Sequence, residues 1–500
     1  MRTIFRTKSI EALLAASDEP EKRLSKTLGP WSLMALGIGA VIGSGIFTLT
    51  GTAAAGSVQR FPSMLHASII DILMHGSASV QAVGRLGAGP GLALSFLFTA
   101  IACCFAGLCY AEMASAIPVA GSAYTYTYAT LGEVVAWLIG WNLILEYAVS
   151  NMAVAVGFSD YFNVILQSVF GVQLPRELSQ PIFIGDQVTG AWFNLPALLV
   201  ILVLTWILVF GIRESATANS IMVLVKIVAI LIFVFGASKA IDTQNWHPFL
   251  PNGYSGVLTG AAIVFFTYIG FDSVSTAAEE CRRPQRDLPI GIIGTLIACS
   301  ILYISVVLVL TGIANYKTLN NAAPVATALE ALRMNGILKW VSIGAAVGML
   351  SSLLVFQYGQ ARVWFAMSRD GLLPRFFSRV HPKHRTPHVS TWIAGLAVGI
   401  PAGIWDIGTF AELSNIGTLF AFIVVSIGVM VLRKTDPHRP RAFRVPFGSL
   451  FPILSIVCCL VLMMALPLQT WLRFFSWSAI GLAFYWIFGR KRSALAQIEA

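Results

Sequence analysis

The chain has 500 residues, of which 57% are hydrophobic and only 11% charged, with a mean hydropathy of +0.77. Soluble domains carry about 25% charged residues, so this composition excludes a soluble enzyme. The formal charge of +10 is scattered over connecting segments rather than gathered on one face between aromatics, which excludes a nucleic-acid partner.

Twelve runs reach the ~20 apolar residues that a spanning helix needs. They centre near residues 42, 103, 148, 203, 228, 267, 301, 352, 398, 422, 457 and 480. The chain is therefore expected to be an all-α polytopic membrane protein of 12 transmembrane helices. Residues 1–30 hold six Lys/Arg and no apolar core, so they read as a cytoplasmic tail rather than a signal peptide. With the N-terminus inside, 24 of the 33 basic residues face the cytosol and eight face out. That asymmetry places both chain ends in the cytoplasm of a plasma (inner) membrane. All seven cysteines fall in the runs or on the cytosolic side, where no extracellular disulfide can form.

The first run contains GIGAVIGSGIF. Glycine costs about 1 kcal/mol per helical residue against alanine, and Gly43-Ser44-Gly45 puts that weakness at mid-span. A dinucleotide fingerprint starting at Gly37 fails because position 42 is Ile42. Gly39 and Gly43 also make a GxxxG pattern, whose simplest use is helix packing. In the third run, GWNLILEYAVS buries an acid, Glu146, and in the fifth, IMVLVKIVAILIFVFG buries Lys226. The sixth run, GAAIVFFTYIGFDSVSTAAEE, repeats the weakness at Gly270, Phe271, Asp272 and Ser273, although Asp272 could serve only as a helix cap.

The two interruptions lie five runs apart, as two inverted repeats of five would place them, and paired breaks point to a transporter's binding site. A broken helix exposes carbonyls at the end of its first half and N–H groups at the start of its second. The former suit an ammonium and the latter a carboxylate, so the simplest fitting molecule is an amino acid. Lys226 either snorkels to an interface or faces the bundle interior, where it would exchange protons or stand in for a bound sodium ion. Glu146 is either its partner or a separate proton site. Glu112, Glu133 and Arg362, near cytosolic helix ends, suit gate or interface ion pairs. The seven histidines fall between the runs, and no nucleophile–base pair or metal cluster is visible, so neither a cofactor nor an enzymatic reaction is expected.

The stretches GIGAVIGSGIFTLTG, CYAEMASAIPVAGSAYTYTYATLGE, FFTYIGFDSVSTAAEE and GQARVWFAMSRDGLLP, with FRVPFG near residue 445, resemble the amino acid–polyamine–organocation (APC) superfamily, and within it the bacterial form of the cationic amino acid transporter family. The resemblance implies a ten-helix transport core over residues 31–432, in a 5+5 inverted repeat with discontinuous helices 1 and 6. Two further helices and a cytoplasmic tail would follow over residues 433–500. It implies alternating access, with the substrate carboxylate on backbone N–H groups around Gly43, Ser44 and Gly45. Val41, Phe266, Thr267 and Ile269 would then surround the amine and side chain. Lys226 matches a fifth-span lysine proposed to replace sodium and couple transport to protons. On the eighth span, Met349 would narrow the pocket and Ser351 and Ser352 widen it.

The reading that results is secondary uptake of small neutral or cationic L-amino acids coupled to protons. An exchanger, or a transporter-like sensor or channel, is the alternative. One departure from the family pattern is an insert at residues 57–87, in which Leu65, Ile69, Ile72 and Leu73 take helical amphipathic spacing. It reads as a surface helix in the lipid bilayer's outer interface, or as a lid or docking element for a small membrane partner subunit.

Overall fold

The computed structural model describes residues 6–17, 28–58, 84–119, 121–184, 187–210, 213–321, 323–382, 384 and 386–493. The amphipathic stretch of the insert lies outside these residues. At the insert's base, β1 (Gly56–Val58) and β2 (Gly84–Leu86) pair antiparallel.

Every apolar run is helical. Among the described residues seven helices are long and apolar enough to cross a membrane, and a bent pair makes an eighth. A short α1 (Ile10–Ser17) precedes that pair, α2 (Pro30–Val41) and α3 (Ser44–Ala55), which is bent by 42°. Spans 2 and 3 are α4 (Leu92–Ala116) and, beyond a short α5 (Ala123–Thr130), the long α6 (Glu133–Ile165). Spans 4 and 5 are α7 (Leu195–Phe210) and α8 (Arg213–Ala237). Span 6 is split into α9 (Gly253–Val264), a 3-10 turn over Phe265–Tyr268, and α10 (Ser273–Thr276). Span 7 is α11 (Pro284–Ile313), and after a short α12 (Pro324–Ala331) span 8 is α13 (Asn335–Arg369). Spans 9 to 12 are α14 (His388–Ala402), α15 (Ile407–Thr435), α16 (Leu450–Met464) and α17 (Leu468–Phe484). The expected boundary at 432 thus falls inside the last turn of α15.

Packing follows an inverted repeat. Span 3 lies along span 8 and span 2 along span 7, each helix against its own counterpart. Span 5 packs on span 8 as span 10 packs on span 3, and span 1 meets span 7 as span 6 meets span 2. Spans 1 and 6 therefore occupy matched positions at the centre of a 5+5 core, with most of their side chains buried.

Span 12 is fastened to span 3 by indoles. Trp137 Nε1 donates to the Gly481 carbonyl at 2.8 Å, Trp141 Nε1 to Trp477 O at 3.0 Å, and Trp477 Nε1 back to Trp141 O at 3.2 Å. Satisfying these N–H groups against the neighbouring backbone lets Trp137 be buried, with Trp141 and Trp477 half-buried beside it, without an orphaned donor.

The N-terminal segment is not a loose tail. Ile10 and Leu13 are buried, Lys8 Nζ reaches Asp370 Oδ1 at 2.9 Å, and the Glu133 N–H donates to Arg6 O at 2.9 Å. Further along, Leu28 pairs as an isolated bridge with Cys281: Leu28 N–H donates to Glu280 O (3.0 Å) and Arg282 N–H to Leu28 O (2.9 Å). Burial pushes the Cys281 thiol up to about 11, so it stays protonated at neutral pH.

Candidate functional site

In span 1 the helix stops at Ile42 (φ −80°, ψ 85°) and restarts after Gly43 (φ −114°, ψ −143°). Both residues leave helical geometry, so the carbonyls of the last turn of α2 and the first N–H groups of α3 lose their helical partners. In span 6 the 3-10 turn ends in extended Ile269, and Gly270 takes φ +119°, a conformation that disfavours any residue with a Cβ. A Cβ on Gly270 would also lie 2.8 Å from that of Ala40. On Gly45 it would lie 2.7 Å from Thr267 Cγ2 and 3.1 Å from Thr267 Cα. The two breaks therefore touch, and Gly45 and Gly270 are what let them.

Of the sequence-predicted residues, Val41, Gly43, Ser44, Gly45, Phe266, Thr267 and Ile269 all lie in or beside this contact, and all are buried. Among the described residues Ser44 Oγ has no hydrogen-bond partner. Thr267 Oγ1 donates to the Val264 carbonyl at 2.7 Å, which satisfies a carbonyl at the end of α9.

The freed carbonyls of α2 are already engaged by the protein. Lys226 Nζ donates to Gly39 O and to Ile42 O, each at 2.8 Å. Ser352 Oγ contacts the same two oxygens at 2.7 and 3.1 Å. Ser351 Oγ donates to Asn219 Oδ1 at 2.7 Å and stands 3.5 Å from Lys226 Nζ. Lys226 thus faces the bundle interior, fully buried, rather than snorkelling. Ser351 and Ser352 serve this cradle instead of widening a pocket. Asn219 and Lys226, seven residues apart on α8, share a helix face.

Tyr303 on span 7, which the sequence reading did not single out, spans both breaks. Its hydroxyl lies 2.8 Å from Val41 O and 2.9 Å from Thr267 O. A lone tyrosine in an apolar helix was the available signal, because a buried phenol seeks a partner.

Glu146 is separate from Lys226. It is buried on α6 beside Asp272 and Thr418. Among the described residues neither of its oxygens makes a hydrogen bond, and the Thr418 hydroxyl donates to Ser414 O at 3.0 Å. Asp272 receives Tyr147 OH at 3.1 Å and makes no side-chain cap.

The three residues expected near helix ends do form ion pairs and hydrogen bonds. Arg362 meets Glu280 at 2.5 Å with its guanidinium 3.9 Å over the Tyr358 ring. Glu112 holds Arg433, and its Oε2 also accepts the Val445 N–H at 2.7 Å. Glu133 accepts from Tyr485 OH (2.8 Å) and Ser493 Oγ (2.9 Å). A cavity lined by Leu208, Tyr358, Arg362, Thr386 and Thr391 lies beside Arg362, ten residues or about 15 Å along α13 from Ser352. His388 is the first residue of α14 rather than a loop residue.

The profile of the amino acid permease family matches residues 28–488. The chain is 44% identical over 498 residues to the branched-chain amino acid permease BcaP of Bacillus subtilis, covering 99% of each. It is 43% identical over 495 residues to the methylthioribose transporter of the same organism, covering 99% of this chain and all of that one. Cationic amino acid transporter 9, chloroplastic, of Arabidopsis thaliana is 36% identical over 418 residues, 83% of this chain and 67% of that one. These relatives are transporters rather than enzymes, and a broken-helix core, multi-pass in the membrane, agrees with them. The chain belongs to the amino acid permease family of the APC superfamily.

Proposed function

We propose that this permease carries small neutral amino acids, including branched-chain ones, inward across the plasma membrane by alternating access coupled to protons. The observation that carries the reading is the Lys226 ammonium held on Gly39 O and Ile42 O. A cation seated where a broken helix presents its carbonyls does the work of a bound metal ion, and it can be switched by a proton where a metal cannot. Losing its proton charge would leave those carbonyls with weaker donors, so protonation and the shape of the first break are linked. Glu146, unpartnered among the described residues and beside Asp272, offers a second proton position.

In this reading the substrate carboxylate sits on the N–H groups of Gly43, Ser44 and Gly45 at the start of α3, favoured by the helix dipole. Its amine and side chain lie against Val41, Phe266, Thr267 and Ile269. None of these four offers a carboxylate to a cationic head, which favours neutral side chains over lysine or arginine. The near-equal likeness to a methylthioribose transporter supports a second candidate, a small thioether sugar. Both chain ends are assigned to the cytoplasm. The 57–87 insert is assigned to the outer mouth as a surface helix or a seat for a small partner subunit.

Leucine and alanine uptake into proteoliposomes should rise with an inward proton gradient, and Lys226→Met should abolish that dependence. Unchanged gradient-driven uptake in the variant would remove the coupling proposal. Thermal-shift comparison of leucine, alanine, lysine and methylthioribose should rank leucine or alanine first. Counterflow without a gradient separates exchange from symport.

A further inference from the structure

The last apolar helix runs on past its apolar stretch into basic residues. α17 continues through a π-turn at Tyr485–Gly489 into one more turn, Arg490–Arg492. Two arginines there sit over two rings four residues earlier. Arg490 Cζ stands 4.8 Å over the Trp486 ring, and Arg492 Cζ 4.4 Å over the Phe488 ring. The turn is pinned from behind, since Tyr485 OH and Ser493 Oγ both donate to Glu133. Glu133 is itself buried and is turned to these hydroxyls. Among the described residues neither Arg490 nor Arg492 makes an ion pair, and Arg6 adds a third positive charge near Tyr485.

A guanidinium attracted to an aromatic ring keeps N–H donors that can bind phosphate oxygens two at a time. Tryptophan at this level marks the headgroup zone of a bilayer. Ile487, between the two pairs, is 80% exposed, and Ile480 is 57% exposed. They lie seven residues, or about 10 Å, apart along the helix, within the ~15 Å depth of one leaflet. Free phosphate would have no use for that apolar strip, whereas a lipid would cover it.

We infer that Arg490 and Arg492 form a headgroup site for an anionic phospholipid whose acyl chain lies along Ile480 and Ile487. The test is native mass spectrometry of the full-length protein, delipidated and then offered phosphatidylglycerol or phosphatidylcholine. The natural chain should retain phosphatidylglycerol preferentially. The double variant Arg490→Gln, Arg492→Gln should lose about 30-fold of that retention, from ~1 kcal/mol per arginine, with phosphatidylcholine binding unchanged. The Arg490→Lys, Arg492→Lys protein keeps the charge but not the planar fork, and should retain an intermediate amount. It carries the test should the glutamine variant fail to fold. Equal retention of the two lipids, or undiminished phosphatidylglycerol binding in both variants, overturns the proposal. So does displacement of the lipid by millimolar inorganic phosphate, which would make this a phosphate site.

Discussion

A methyl group is enough to test the contact between the breaks. Gly45→Ala places a Cβ inside the van der Waals radius of Thr267 backbone as well as side chain, so α3 must move away from the 3-10 turn. Overpacking of this kind costs about 1–3 kcal/mol. The variant should melt lower and lose any leucine-induced stabilisation, and a protein that melts and binds as before would show that the breaks do not press on each other. Tyr303→Phe removes one hydroxyl and leaves Val41 O and Thr267 O short of a donor, worth about 1–3 kcal/mol, again read as a lower melting temperature. At this scale the sequence revealed the glycines and the buried lysine, because Gly45, Gly270 and Lys226 are the wrong residues for an apolar helix. It did not reveal Tyr303 or Ser352 as bridging groups. Their chemistry is ordinary for a membrane helix, and only the packing of spans 7 and 8 on span 1 aims it.

Among the elements, the joint between span 3 and span 12 is open to a single change. A Cβ at Gly481 would fall 2.4 Å from the Trp141 ring, so Gly481→Leu must push α17 away and break up to three indole hydrogen bonds at about 1 kcal/mol each. The expected result is a looser twelfth helix, seen as faster protease cleavage near residue 489, with the ten-helix core still folded. Apolar length alone located the helices and set their number, since spanning a bilayer demands it. The short ends were less legible. α1 looked like part of a charged tail, because two buried side chains, Ile10 and Leu13, are too few to make a periodic signal, and their docking depends on a surface assembled from distant segments.

For the molecule as a whole, the face near Arg6 and Ser493 is tied across by contacts between distant segments. Glu280 and Arg362 tie span 6 to span 8, Lys8 and Asp370 tie the N-terminal segment to span 8, and Leu28 is paired with Cys281. Cys281 is fully buried, which makes it a native reporter. Arg362→Ala leaves Glu280 without its cation and should speed maleimide labelling of Cys281 at least about tenfold. An unaltered rate would mean that this ion pair does not hold the face together. The pairing of the halves was readable from two matching interruptions, but the ties across this face were not, because they join segments far apart in the chain. Any movement that parts the two breaks would also divide what the Tyr303 hydroxyl holds together. A phenol has one proton to give, yet it stands within reach of a carbonyl on each broken span. The breaks therefore share a single donor and own half of it each. When they separate, one carbonyl keeps the whole bond and the other is left without this donor, so parting the breaks at this point costs about one hydrogen bond.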